Sequence, residues 1–180
     1  MHATLADVIA DTAQNSIEAK AKNISLSIIE EGGKIFVKIK DDGKGMDETI
    51  LARAFNPFYT EPGKHDKRKV GLGLPILKQI CESTDGEVSL KSAKGVGTEL
   101  DYSFSAKHID LPPMGDLVEA VLMLFNYPGD FELVFTHKIG EEEYSISRSE
   151  LADAVGGLET IDGITLAKEF LSSQEEALKE

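Results

Sequence analysis

Residues 24–46, ISLSIIEEGGKIFVKIKDDGKGM, carry the pattern that decides the fold. Apolar side chains alternate at Ile24, Leu26 and Ile28, and again at Ile35, Val37 and Ile39. A period of two belongs to strands with one buried face. Between the two runs, EEGGK has the composition of a tight turn, so the pair reads as a β-hairpin. The second run ends directly in Asp41-Asp42-Gly43-Lys44-Gly45-Met46. Glycines at the end of a strand let other groups approach the backbone closely, although the same residues also make an ordinary turn.

Working outward, Leu5, Val8, Ile9, Ala13 and Ile17 lie on one helical stripe ahead of the hairpin. After it, residues 47–54 read as a short helix opened by Asp47, and residues 55–73 as irregular chain with two prolines and clustered charges. A helix is expected from Leu74 to about Thr84, then strands through Val88 and Leu90 and through Leu100, Tyr102 and Phe104. The order helix, two strands, helix, loop, helix, two strands implies an α/β (α+β) two-layer sandwich. Its sheet is expected to be mixed and mostly antiparallel, with helices on one face. KHIDLPPMGD at 107–116 breaks the pattern, because paired prolines continue neither helix nor strand. Beyond it, a helix at 117–127, a hairpin FELVFTHKIGEEEYSIS at 131–147 and helical pieces at 149–155 and 162–179 are expected. The expected division is therefore residues 1–106 and a small α+β extension, 107–180.

Composition narrows the function classes. An apolar content of 41% is enough for a real core, and no apolar run approaches the roughly 20 residues of a membrane helix. The N-terminal segment has neither the basic start nor the unbroken apolar stretch of a signal peptide. A single cysteine, Cys81, rules out an internal disulfide framework and fits a reducing, cytoplasmic setting. The net charge of −13 is uneven: residues 107–180 hold 16 acidic and 5 basic side chains, the first 106 hold 16 and 14. So acidic a body disfavours nucleic acid and anionic membrane as partners. The tail's charge is read first as a solvated surface and second as a face for a partner.

Several residues have the chemistry of a nucleotide site. Asp11, Asn15 and Glu18 fall at i, i+4 and i+7 and share one polar helix face, as polar residues on any amphipathic helix can. An asparagine amide oxygen suits magnesium, and a carboxylate one turn earlier can orient or deprotonate water. An aspartate at a strand end, Asp41, can accept a hydrogen bond from an adenine amino group. Gly71-Leu72-Gly73-Leu74 opens a helix, whose first amides favour phosphate. It is neither a P-loop nor a Rossmann fingerprint, because the required spacing is missing. Residues 61–69, EPGKHDKRK, gather four basic side chains and read as a lid over phosphates or as a solvated loop. The hydroxyl of Thr98, in Gly95-Val96-Gly97-Thr98, stands where it can reach a base or a bridging water.

Taken in order, these segments resemble the ATP-binding domains shared by gyrase, Hsp90, histidine kinases and MutL. Residues 11–19, DTAQNSIEA, look like that family's asparagine box, and Asp41-x-Gly43-x-Gly45 like its first glycine box. Residues 55–60, FNPFYT, are similar to the phenylalanine box of histidine kinases; Gly71-x-Gly73-Leu74 and Gly97-Thr98 resemble the remaining glycine boxes. The resemblance spans about residues 5–104 and points to the histidine-kinase branch. It implies ATP and magnesium as cofactors, with Asn15 on the cation and Asp41 on the adenine amino group. It implies nucleotide contacts from Gly43, Gly45, Met46, Phe58, Thr60, Gly71, Leu72, Gly73, Leu74 and Thr98. Asp11 falls where gyrase-like members carry a general-base glutamate, one carbon shorter.

No histidine sits on a helical hairpin of the phosphoacceptor kind, and the tail beyond Pro112 matches no motif. The leading expectation is phosphate transfer in trans to a partner protein. The alternative is a nucleotide-gated binding module without kinase activity, with a homodimer allowed; an ATPase clamp of the gyrase or MutL kind comes third.

Overall fold

The computed structural model describes residues 4–58 and 73–180. Helix α1 (Leu5–Glu18) opens with a capping box in which Thr4 and Asp7 satisfy each other's backbone amides. Strands β1 (Asn23–Glu31) and β2 (Lys34–Asp41) form the expected hairpin, pairing Ile24 with Asp41 and Glu31 with Lys34. Helix α2 (Glu48–Arg53) is capped by Asp47, as its sequence suggested, and α3 spans Gly73–Ser83. Strands β3 (Val88–Ala93) and β4 (Gly97–Ser105) follow. The tail supplies α4 (Leu117–Phe125), β5 (Glu132–Ile139), β6 (Glu142–Ser147), α5 (Arg148–Val155) and α6 (Ile161–Ala177).

One six-stranded sheet results, in the order β3-β4-β2-β1-β5-β6. All neighbours are antiparallel except β1 and β5, which run parallel, so the sheet is mixed and mostly antiparallel as expected. Alternation fixes its two faces. Ile24, Leu26, Ile28, Ile35, Val37 and Ile39 point into the core, while Ser25, Lys38 and Lys40 lie on the other, open face. The core joins both halves of the chain: Leu5, Val8 and Ile9 of α1 share one apolar cluster with Leu122, Leu124, Phe125, Leu133 and Phe135 of the tail. Cys81 is packed within it; burial pushes its thiol up to about 12, so it stays protonated as an apolar filler.

α6 is fastened to the sheet by a buried polar cluster. His137 of β5, 2% exposed, places Nδ1 2.9 Å from Glu175 Oε1 and Nε2 3.1 Å from Glu30 Oε1. Tyr144 donates to Glu175 Oε1 at 2.6 Å. Burial alone would push the imidazole pKa down, but the hydrogen bonds and charges of Glu175 and Glu30 outweigh it and raise it to about 9. His137 is therefore an imidazolium held between two carboxylates. No helix among the described residues is long and apolar enough to cross a membrane.

Candidate functional site

The site forms where the C-terminal ends of α1 and β2 meet the β3–β4 turn. Asp41, the last residue of β2, is only 9% exposed. Its Oδ2 accepts from the Ser16 hydroxyl at 2.6 Å and its Oδ1 from the Gly43 amide at 2.8 Å. Among the described residues no cation pairs with it. A carboxylate so enclosed and left without a counter-charge normally carries a desolvation cost. Each oxygen retains a lone pair for another donor. Next to Ser16 in the chain, Asn15 is half-buried, and its side-chain amide has no hydrogen-bond partner among the described residues.

The loop after β2 is locked on both sides. The Lys44 amide donates to the Ala19 carbonyl at the end of α1 at 2.9 Å, and the Gly95 amide donates to the Lys44 carbonyl at 2.7 Å. The Met46 amide donates to Ser92 Oγ at 2.8 Å, and Ser92 Oγ also lies 2.8 Å from Thr98 Oγ1. Gly45 has φ of +63°, and a Cβ there would fall 1.9 Å from the Ala93 carbonyl oxygen. Gly97 has φ of +137°, and a Cβ would fall 2.0 Å from the Asp41 carbonyl oxygen. These two glycines are required by backbone packed on backbone; for Gly45 this differs from the close approach of another group that its place after a strand suggested.

At the start of α3, a Cβ on Gly73 would stand 2.8 Å from Asp11 Oδ2, so the helix entrance lies directly against the polar face of α1. These contacts hold Asp41, Gly43, Gly45, Met46 and Thr98 at one end of the sheet and set Gly73 against Asp11 of α1, with Asn15 next to Ser16 in the chain. Leu74 packs half-buried against the core. Phe58 is 94% exposed, and the structure does not bring its ring into the cluster. Thr60, Gly71, Leu72 and the basic lid at 61–69 lie outside the described residues. Sequence reading missed Ser16 and Ser92, the hydroxyls that hold Asp41 and the β3–β4 turn. A cavity of about 630 Å³ lies beside this end of the sheet, lined by Asp41, Asp42 and Thr98 and, on the open face, by Ser25, Lys40 and Lys91; Asp11, Asn15, Gly43, Gly45, Met46 and Gly73 are not among its lining residues.

A family model described as histidine kinase-, DNA gyrase B-, and HSP90-like ATPase matches residues 2–110. Residues 2–110 are an ATP-binding domain of the histidine-kinase type. The chain belongs to the histidine kinase-, DNA gyrase B-, and HSP90-like ATPase family. Sporulation kinase E of Bacillus subtilis (strain 168) is 35% identical over 100 residues, which is 49% of this chain and 12% of that protein. Sensor histidine kinase YkoH of the same strain is 32% identical over 96 residues, 52% of this chain and 21% of that protein. The chain thus spans about a fifth or less of these relatives. Among solved structures, the Aquifex aeolicus MutL ATPase domain complexed with ADP superposes with a TM-score of 0.51 at 15% identity, over 88% of this chain and 69% of that one. The N-terminal domain of a DNA repair protein does so with 0.57 at 12% identity, over 89% and 58%. Both likenesses are of fold, and both extend past residue 110 into the tail.

Proposed function

We propose that the chain binds ATP with magnesium in a cleft at this site and passes the terminal phosphate in trans to a side chain of a partner protein. The observation that carries the reading is Asp41, enclosed, aimed by Ser16 and Gly43 and lacking a cation among the described residues. An exocyclic purine amine can donate to a lone pair that Ser16 and Gly43 leave open on this carboxylate. Gly43, Gly45, Met46, Gly73, Leu74 and Thr98 would line the nucleotide, with Phe58, Thr60, Gly71 and Leu72 contributed by the kinase-like segment between α2 and α3. The donors fit the cation: Asn15 offers a hard amide oxygen with no protein partner among the described residues. Among the described residues, no group of three or more His, Cys, Asp or Glu side chains gathers into a cage. Magnesium tolerates such a site, taking its other ligands from phosphate oxygens and water. When bound it would neutralise charge on the phosphates. Asp11 stands against the α3 entrance, placed to orient a nucleophile or water.

Transfer in trans is supported by where the described histidines sit. His137 is buried and held between Glu175 and Glu30. His108 lies beyond the far end of β4, about 20 Å or more from Thr98 at roughly 3.3 Å per strand residue. Neither reaches the cleft. A thermal shift with ATP and magnesium tests the binding: at a hundred times the dissociation constant the wild type should gain about 2.7 kcal/mol, and Asp41→Asn almost nothing. Equal shifts in both proteins would refute the site. Transfer is tested with γ-labelled ATP and candidate partner proteins, and absence of label on all of them would leave the second reading. In that reading the chain is a nucleotide-gated binding module, favoured by the tail's direct packing on α1. It predicts that saturating ATP changes partner affinity without phosphate transfer.

A further inference from the structure

We infer that the turn between α4 and β5 is a positioning device for the nucleotide site, acting through the hydroxyl of Tyr127 on the asparagine-box helix. The inference rests on the ATP reading of the cleft. Gln14, one residue before Asn15, is 4% exposed. Its amide nitrogen donates to Tyr127 Oη at 3.0 Å and to Glu18 Oε1 at 3.0 Å. A buried carboxamide is costly unless satisfied, and here one of its two acceptors comes from the tail. Gln14 therefore ties three things together: the rotation of α1, the side chain of Glu18 on the polar face, and the tail.

The turn that presents Tyr127 is itself built to be rigid. Arg148 donates through Nε to the Phe125 carbonyl at 2.7 Å and through its terminal nitrogens to the carbonyls of Phe131 at 2.9 Å, Gly129 at 3.3 Å and Tyr127 at 3.3 Å. Its guanidinium also stacks 4.2 Å from the centre of the Phe131 ring. At the other end of α1, the Leu5 and Ala6 amides donate to the carbonyls of Pro113 and Met114 at 2.9 and 2.8 Å. The tail thus grips the helix at its start and beside Asn15. Across the helix axis, Ser16 reaches Asp41. A small rotation of α1 would shift the asparagine and the aspartate's partner together, and the Tyr127 contact opposes that rotation.

The test is calorimetric titration of the full chain with ATP and magnesium chloride, in wild type, Tyr127→Phe, Gln14→Met and the double variant. Melting temperatures are recorded without nucleotide. Losing one hydrogen bond should raise the dissociation constant roughly threefold to tenfold. The two single variants should lose alike, and the double variant should lose little more than either. Thr160→Ala serves as the control, since it removes the cap of α6 and weakens the tail without touching α1. It should lower the melting temperature and leave affinity alone. An unchanged dissociation constant in Tyr127→Phe overturns the inference, as does an equal loss of affinity in Thr160→Ala. A wild type that takes up no ATP brings down the nucleotide reading, and the inference with it; a wild type that binds while Tyr127→Phe binds equally well overturns the inference alone.

Discussion

The Ser16 hydroxyl donates a hydrogen bond to Asp41 at 2.6 Å, and nothing in the local sequence marks that serine out. The partners are 25 positions apart, and a lone hydroxyl on a helix has no periodicity to betray it. Ser16→Ala should leave the fold intact and weaken ATP binding about fivefold, the effect of one hydrogen bond of about 1 kcal/mol, read by titration. Asp41 and the glycines stood out because each sits at a break between periodic segments, whereas Asn15 lies within α1 and was singled out by the helix face it shares with Asp11 and Glu18 and by the asparagine-box resemblance. What the glycines do was less legible. Gly45→Ala combines a positive φ with a collision against the Ala93 carbonyl, and should destabilise the chain by at least about 2 kcal/mol in chemical denaturation, nucleotide or none.

At the scale of the element, α6 shows how a helix of ordinary sequence gains an electrostatic anchor. His137 has a folded pKa of about 9, above the roughly 6.5 of an unfolded chain. The stabilisation is therefore fully present below about pH 6.5 and is lost as pH rises through 9, with a total of roughly 3 kcal/mol. The groups facing the ring are Glu175 on α6, Glu30 on β1 and Tyr144 beside Glu175 on β6. Denaturation at pH 6 and pH 10 should show wild type losing more stability than His137→Gln, whose curve is flatter over that window. Matching pH profiles would refute the assignment. The helices and strands themselves were readable to within about three residues, since periodicity and capping residues such as Asp47 and Thr4 are local signals. The His137 cluster joins residues 30, 137, 144 and 175, and no spacing rule connects them.

Over the whole molecule, the sequence break at 107–116 separates two stretches of different charge, yet β5 lies directly against β1 and the apolar cluster runs through both. Strand order is set by which edges find partners in three dimensions, so hairpins were foreseeable and the parallel β1–β5 junction was not. A chain ending at residue 106 would lose the burial of Leu122, Leu124, Phe125, Leu133 and Phe135, each worth on the order of 2–3 kcal/mol. It should fail to give a cooperative melting transition, and a sharp one would show that the ATP-binding half folds alone. By taking the outer flank of β1, β5 also decides where other chains can attach. The sheet's remaining margins are β3, which carries Lys91, and β6, which begins with Glu142 and Glu143. Charged borders of this kind resist stacking of copies side by side into ribbons, so a crowded solution of this protein should stay free of fibres.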